Sequence, residues 1–121
     1  MTLAEFHARL GNAGMLFALA LGLWALWLYF RKQGVDGNYL GAMVIGELLF
    51  IAQGVIGATL YFAGHPLGRP VHILYGILAV ITLPGAYAYT RGRDERREAL
   101  VYGLVGLFLF GVALRAITTA R

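Results

Sequence analysis

Four long apolar stretches constrain this chain more than any other feature. They run over residues 13–30, with a helical approach from residue 3, then 39–63, 71–89 and 99–117. Each is close to the roughly 20 residues a helix needs to cross the bilayer hydrocarbon. A backbone in lipid must satisfy its own hydrogen bonds, so stretches of this length read as helices. The expected helices cover about residues 3–31, 39–63, 70–90 and 96–118. Residues 31–38, 64–70 and 91–98 carry the Gly, Pro, Asn and charge of loops. Connections this short force antiparallel neighbours. The expected fold is therefore all-α: a single transmembrane domain over residues 1–121, built as an up-down-up-down four-helix bundle.

Composition agrees. The chain is 60% hydrophobic and 13% charged, with 17 glycines, whereas soluble domains carry about 25% charged residues. It has no cysteine, which excludes disulfides, thiolate metal sites, iron–sulfur clusters and c-type haem attachment. Histidine is left as the obvious ligand for any metal. The net charge of +4 is not a nucleic-acid footprint, because the basic residues sit at segment ends. They read as topology signals. Arg31, Lys32, Arg91, Arg93, Arg96 and Arg97 fall in the 1–2 and 3–4 loops. Arg9, Arg69, Arg115 and Arg121 fall on the other side. This bias puts both termini and the 2–3 loop outside the cytoplasm, in a cytoplasmic (inner) membrane. Trp24, Trp27, Tyr29 and Tyr39 would form the cytoplasmic interfacial belt. The first stretch opens without a dominant positive region and ends in Arg31-Lys32, so it reads as a span rather than a signal peptide.

The three histidines carry the functional signal. His7 lies near the outer start of helix 1, and His72 near the outer start of helix 3. In a sequentially connected bundle these helices are parallel and diagonal, and their side chains point at each other across the core. Gly11 and Gly14, continuing to Ala18 and Gly22, follow His7 on one helical face. Gly76 and Ala79 follow His72 in the same spacing. A porphyrin is a flat slab that needs room between backbones, and small residues beside an axial imidazole supply it. Imidazole is a standard axial ligand of haem iron, so the pattern reads as a faint repeat of a haem half-site. The competing explanation is helix packing, since small-xxx-small strips are common in membranes. Zinc would ask for three or four ligands, and the other candidates do not converge. His65 sits in a Gly-His-Pro turn and reads as an exposed loop residue, or as one at a haem edge or quinone pocket.

These residues resemble the heme A synthase family. The stretch Gln53-Gly54-Val55-Ile56-Gly57-Ala58-Thr59-Leu60, followed by His72-Ile73-Leu74-Tyr75-Gly76-Ile77-Leu78-Ala79, is similar to that family's paired helices. There a Gln-Gly-x-x-Gly-like segment precedes a histidine-led helix. His7-Ala8-Arg9-Leu10 is similar to its His-Arg helix, with an alanine intervening. The resemblance spans residues 5–79 and makes the chain a single half of a two-half architecture. It implies a haem held between histidines on different helices. Ala4 stands where the family's synthase half has a glutamate, and the helix number is half. The implication is therefore haem binding, as in membrane b-type cytochromes generally, rather than haem A synthesis.

The remaining polar residues fall into place around this site. Arg9, Arg69 and Arg115 share the outer level and suit haem propionates, or equally phosphate headgroups by snorkelling. Gln53 and Gly57 lie on the outer half of helix 2. Gln53 suits a hydrogen bond to an imidazole or a quinone carbonyl, and the glycine suits close approach. Glu47 is the carboxylate placed well inside an apolar stretch, where a partner or a function is expected. Arg31 and Arg91 are its candidate partners. Pro84 should kink helix 3, since it removes one helical hydrogen bond. Residues 91–98 read as a solvated loop opening helix 4 with ion pairs.

The leading expectation is a small b-type cytochrome with one bis-histidine haem b. It is an electron-transfer or haem-binding protein more than a stand-alone enzyme, and it works with membrane lipid, a quinone, a second copy or a larger redox complex. Two alternatives come from other classes. One is a small proton-coupled multidrug-type transporter using Glu47, although such proteins place the acid in helix 1. The other is a cofactor-free accessory subunit.

Overall fold

In a computed structural model, described over residues 1–65 and 70–120, the chain folds into four helices. They are α1 (Leu3–Phe30), α2 (Gly37–Phe62), α3 (Val71–Thr90) and α4 (Arg96–Thr119). The described residues hold no strand. All four helices are long and apolar enough to cross a membrane, and the chain is a four-helix bundle of the membrane class.

Local chemistry sets the first two starts. Thr2 caps α1, its side-chain oxygen accepting from the Glu5 N–H at 3.1 Å. Asp36 caps α2 by accepting from the Tyr39 N–H at 2.9 Å. Each satisfies a donor that the first turn leaves orphaned. Helix α3 starts after Pro70 and runs unbroken through Pro84. It ends at Arg91, whose φ of 55° is left-handed and turns the chain into the 3–4 loop.

Packing runs around a ring: α1 on α2, α2 on α3, α3 on α4, and α4 back on α1, with α1 and α3 diagonal. The ring is uneven. The α1–α4 contact is the most extensive and the α2–α3 contact the least. The reason is glycine. A Cβ built at Gly106 would lie 2.5 Å from the Gly22 Cα, and one at Gly22 would lie 2.9 Å from the Leu107 backbone nitrogen. Two helix backbones therefore touch where both lack a side chain, the membrane device of small residues at an interface. The Ala18 carbonyl borders this crossing, and Ala18 is fully buried, as are Ala25 of α1 and Ala99 of α4. The outward surface carries Leu16, Leu23, Leu48, Val55, Ile77 and Phe108, each more than half exposed. Small residues inside and large apolar ones outside is the pattern of a bundle solvated by lipid.

The loop end is locked by side chains. The Arg96 Nε–H donates to the Tyr29 carbonyl at 2.9 Å, and its guanidinium stacks over the Tyr29 ring at 4.2 Å. Gly34 lies against the Asp94 carbonyl with no room for a Cβ. The 1–2 and 3–4 loops thus form one interlocked face. Arg93 and the α4 residue Glu98 pair at 3.6 Å. Glu98 is 2% exposed, so residues 91–98 are not a uniformly solvated run. Tyr39 also departs from expectation. It is 1% exposed rather than interfacial, because its hydroxyl donates to the Leu21 carbonyl at 3.0 Å and its ring meets Trp24 edge-on. With its polar tip satisfied, the whole ring is free to enter the core.

Candidate functional site

At the opposite end, the two diagonal helices bring their histidines together. His7 is five residues into α1 and His72 two residues into α3. Their ring centroids lie 6.4 Å apart with planes at 81°. No direct α1–α3 helix packing intervenes; the imidazoles meet across the bundle axis.

Each imidazole is held differently. His72 Nδ1 lies 2.7 Å from the Ala116 carbonyl of α4. A carbonyl only accepts, so Nδ1 carries the proton and Nε2 keeps its lone pair. A hydrogen bond of this kind to one ring nitrogen is what orients a ligating histidine and fixes its tautomer. His7 is half-buried, and its Nδ1 is buried with no hydrogen-bond partner. The His7 backbone carbonyl accepts from Gln53 Nε2 at 2.7 Å. The Gln53 Oε1 is buried and unpartnered. Two orphaned polar atoms therefore sit on residues joined by one hydrogen bond, and such atoms call for a partner.

The surrounding glycines have distinct neighbours. A Cβ at Gly11 would come to 3.0 Å from Gln53 Nε2, so Gly11 leaves the room through which Gln53 reaches the His7 carbonyl. A Cβ at Gly14 would lie 3.2 Å from the Phe50 ring, and one at Gly57 would lie 3.2 Å from the His7 ring. A Cβ at Gly76 would meet nothing within 4 Å, so α3 leaves open space one turn from His72. Ala18 and Gly22 belong to the α1–α4 crossing rather than to this end. Arg115 is exposed and its guanidinium lies 5.9 Å from the Tyr75 ring centre. Arg9 and His65 are exposed. Arg69 lies outside the described residues.

Among the described residues no group of three or more His, Asp or Glu gathers. The site thus offers two imidazoles. That donor set suits a metal bringing its own equatorial ligands, as haem iron does, and falls short of the four ligands of a tetrahedral zinc site.

Glu47 stands apart, half-buried on α2. Its Oε1 is buried with no hydrogen-bond partner, and no ion-pair partner lies among the described residues. Its expected partner Arg31 instead stacks on Trp27 at 5.4 Å. Sequence reasoning missed the Ala116 carbonyl as the anchor of His72, since a backbone acceptor near the end of a fourth helix leaves no trace in composition. Fold and site together define an all-helical bundle of four membrane-length helices with a paired-histidine end. Compared with protein-family models, with curated proteins and with solved structures, the chain matches none.

Proposed function

We propose that the chain is a small integral-membrane b-type cytochrome holding one haem b between His7 and His72. The observation that carries the proposal is the imidazole pair itself: 6.4 Å between centroids, contributed by diagonal helices, with the His72 proton fixed on Nδ1. A bound haem supplies one-electron chemistry at its iron. The chain's own residues do the rest. His72 offers Nε2 because Ala116 holds Nδ1. His7 is steadied through its backbone by Gln53. Gly76 leaves room beside the imidazole. Arg115 and Arg9 would supply cationic partners for propionates at this end.

The two histidines lie at one end, so the chain provides one haem site rather than a pair across the bilayer. Electron exchange then runs to a quinone, to another protein on the same side, or to cofactors of a larger complex. The Lys and Arg bias supports an inner-membrane placement with both termini and the histidine end extracytoplasmic. The test is a reduced-minus-oxidised spectrum of the purified protein. Reducible Soret and α bands are expected, and His7→Ala and His72→Ala each remove or shift them. Absence of the bands, or bands unchanged in both variants, refutes the proposal.

A second reading rests on Glu47 alone. Its buried, unpartnered Oε1 suits a proton-exchanging carboxylate in a small transporter. Proton-coupled uptake into vesicles that Glu47→Gln abolishes supports it; uptake that survives the change removes it.

A further inference from the structure

An apolar groove lies far from the histidines, between α3 and α4. Its volume is about 530 Å³, within the roughly 300–1,000 Å³ of clefts that hold small ligands. Its walls are Leu78, Ile81 and Tyr89 on one side and Val101, Leu104 and Phe108 on the other. Gly85 keeps the groove open because it has no side chain, and a Cβ there would meet nothing within 4 Å. The one hydroxyl midway along, Thr82, is already spent on the Leu78 carbonyl of its own helix. The groove therefore presents hydrocarbon along its length and opens to the lipid side.

Its dimensions are specific. From Leu78 to Tyr89 the α3 wall rises about 16 Å. One leaflet of the bilayer hydrocarbon is about 15 Å deep. The groove thus spans a single leaflet, the one adjoining the 3–4 loop. At the loop end the chemistry changes sign. Arg97 precedes Val101 by one turn and heads the same helical stripe as Val101, Leu104, Val105 and Phe108. Arg91 closes α3 two residues after Tyr89. Among the described residues neither has an ion-pair partner, whereas Arg93 is paired with Glu98 and Arg96 is held on Tyr29. Arg97 thus heads the α4 wall of a leaflet-deep apolar groove with no ion-pair partner among the described residues.

We propose that this groove is a binding site for an anionic phospholipid. One acyl chain lies between α3 and α4, and the phosphate is held by Arg97. Basic residues beside helix–helix clefts recognise anionic headgroups in this way, and guanidinium matches a phosphate with paired donors. The site is independent of the histidine pair and stands whether or not haem binds there.

The test is native mass spectrometry of the detergent-purified chain, with phosphatidylglycerol or phosphatidylcholine of identical acyl chains added. The wild type should retain phosphatidylglycerol severalfold more than phosphatidylcholine. Arg97→Gln should bring the two to the same level. Gly85→Phe, which fills the groove, should abolish retention of both while helix content by circular dichroism is unchanged. Leu104→Trp blocks the groove from the opposite wall and should give the same loss if Gly85→Phe does not fold. Two results overturn the proposal. One is a phosphatidylglycerol preference indifferent to Arg97→Gln and to groove filling. The other is a groove-filling variant that turns a dimer into a monomer and leaves lipid retention intact, which makes a second copy of the chain the occupant.

Discussion

Gly106→Ala is the sharpest perturbation of the bundle. The added Cβ would lie 2.5 Å from the Gly22 Cα, 2.6 Å from the Gly22 nitrogen and 3.3 Å from the Ala18 carbonyl oxygen. All three neighbours are backbone, so no side chain can swing aside, and α1 and α4 must separate by about 1 Å to regain ordinary contact. Overpacking of this kind costs about 1–3 kcal/mol, and a backbone-on-backbone clash belongs at the upper end. A loss near 3 kcal/mol lowers the folded-to-unfolded ratio by about 150-fold. Gly111→Ala is the control, because a Cβ there meets nothing within 4 Å. It should be neutral, or stabilising by up to about 1 kcal/mol through helix propensity. Unfolding in mixed micelles of sodium dodecyl sulfate and a mild detergent measures both. Trp24, which packs on Tyr39, is the fluorescent reporter. Equal stability of Gly106→Ala and wild type, or an equal loss in Gly111→Ala, refutes the claim that this crossing organises the bundle.

Three further outcomes follow from the same contacts. Tyr39→Phe removes the hydroxyl bonded to the Leu21 carbonyl and should cost about 1 kcal/mol in the same unfolding assay. Asp36→Ala removes the α2 cap and should cost a similar amount, about 1 kcal/mol, with fraying of the α2 start seen by amide hydrogen exchange. Arg93→Ala leaves the buried Glu98 without its cation. Because the arginine is itself partly exposed, the loss should be about 1 kcal/mol rather than the 3–5 of a fully buried pair, and adding Glu98→Gln should recover most of it.

Sequence made the four spans and their order legible, because apolar length alone separates membrane helices from loops. Short loops place α1 and α3 on a diagonal, which is why the sequence alone pairs His7 with His72. Partner choice at finer scale was not legible. The strip Gly11, Gly14, Ala18, Gly22 looks continuous along one face, yet its upper part meets Gln53 and Phe50 of α2 and its lower part meets α4. A small helical twist relative to two neighbours decides that division, and residue spacing does not encode it. Tyr39 reads as interfacial and Glu98 as part of a solvated loop, because aromatic and charged residues at helix starts usually are. Tyr39 is buried with a long-range partner, the Leu21 carbonyl, and Glu98 with a nearby one, Arg93. Glu47 shows the converse, since arginines in the loops at its end of the bundle gave it no ion pair among the described residues. The α3–α4 groove was invisible for the same reason: it is a product of how two helices diverge, not of any motif.

The central claim is that His7 and His72 are the two axial ligands of one haem. Coordination state tests it directly. Apoprotein titrated with haemin should bind one equivalent and give a six-coordinate, low-spin spectrum by resonance Raman. His7→Ala and His72→Ala should each leave a five-coordinate, high-spin iron, and free imidazole should restore the six-coordinate signature in both. A six-coordinate, low-spin spectrum that persists in either variant without imidazole, or wild-type protein that takes up no stoichiometric haemin, contradicts the account.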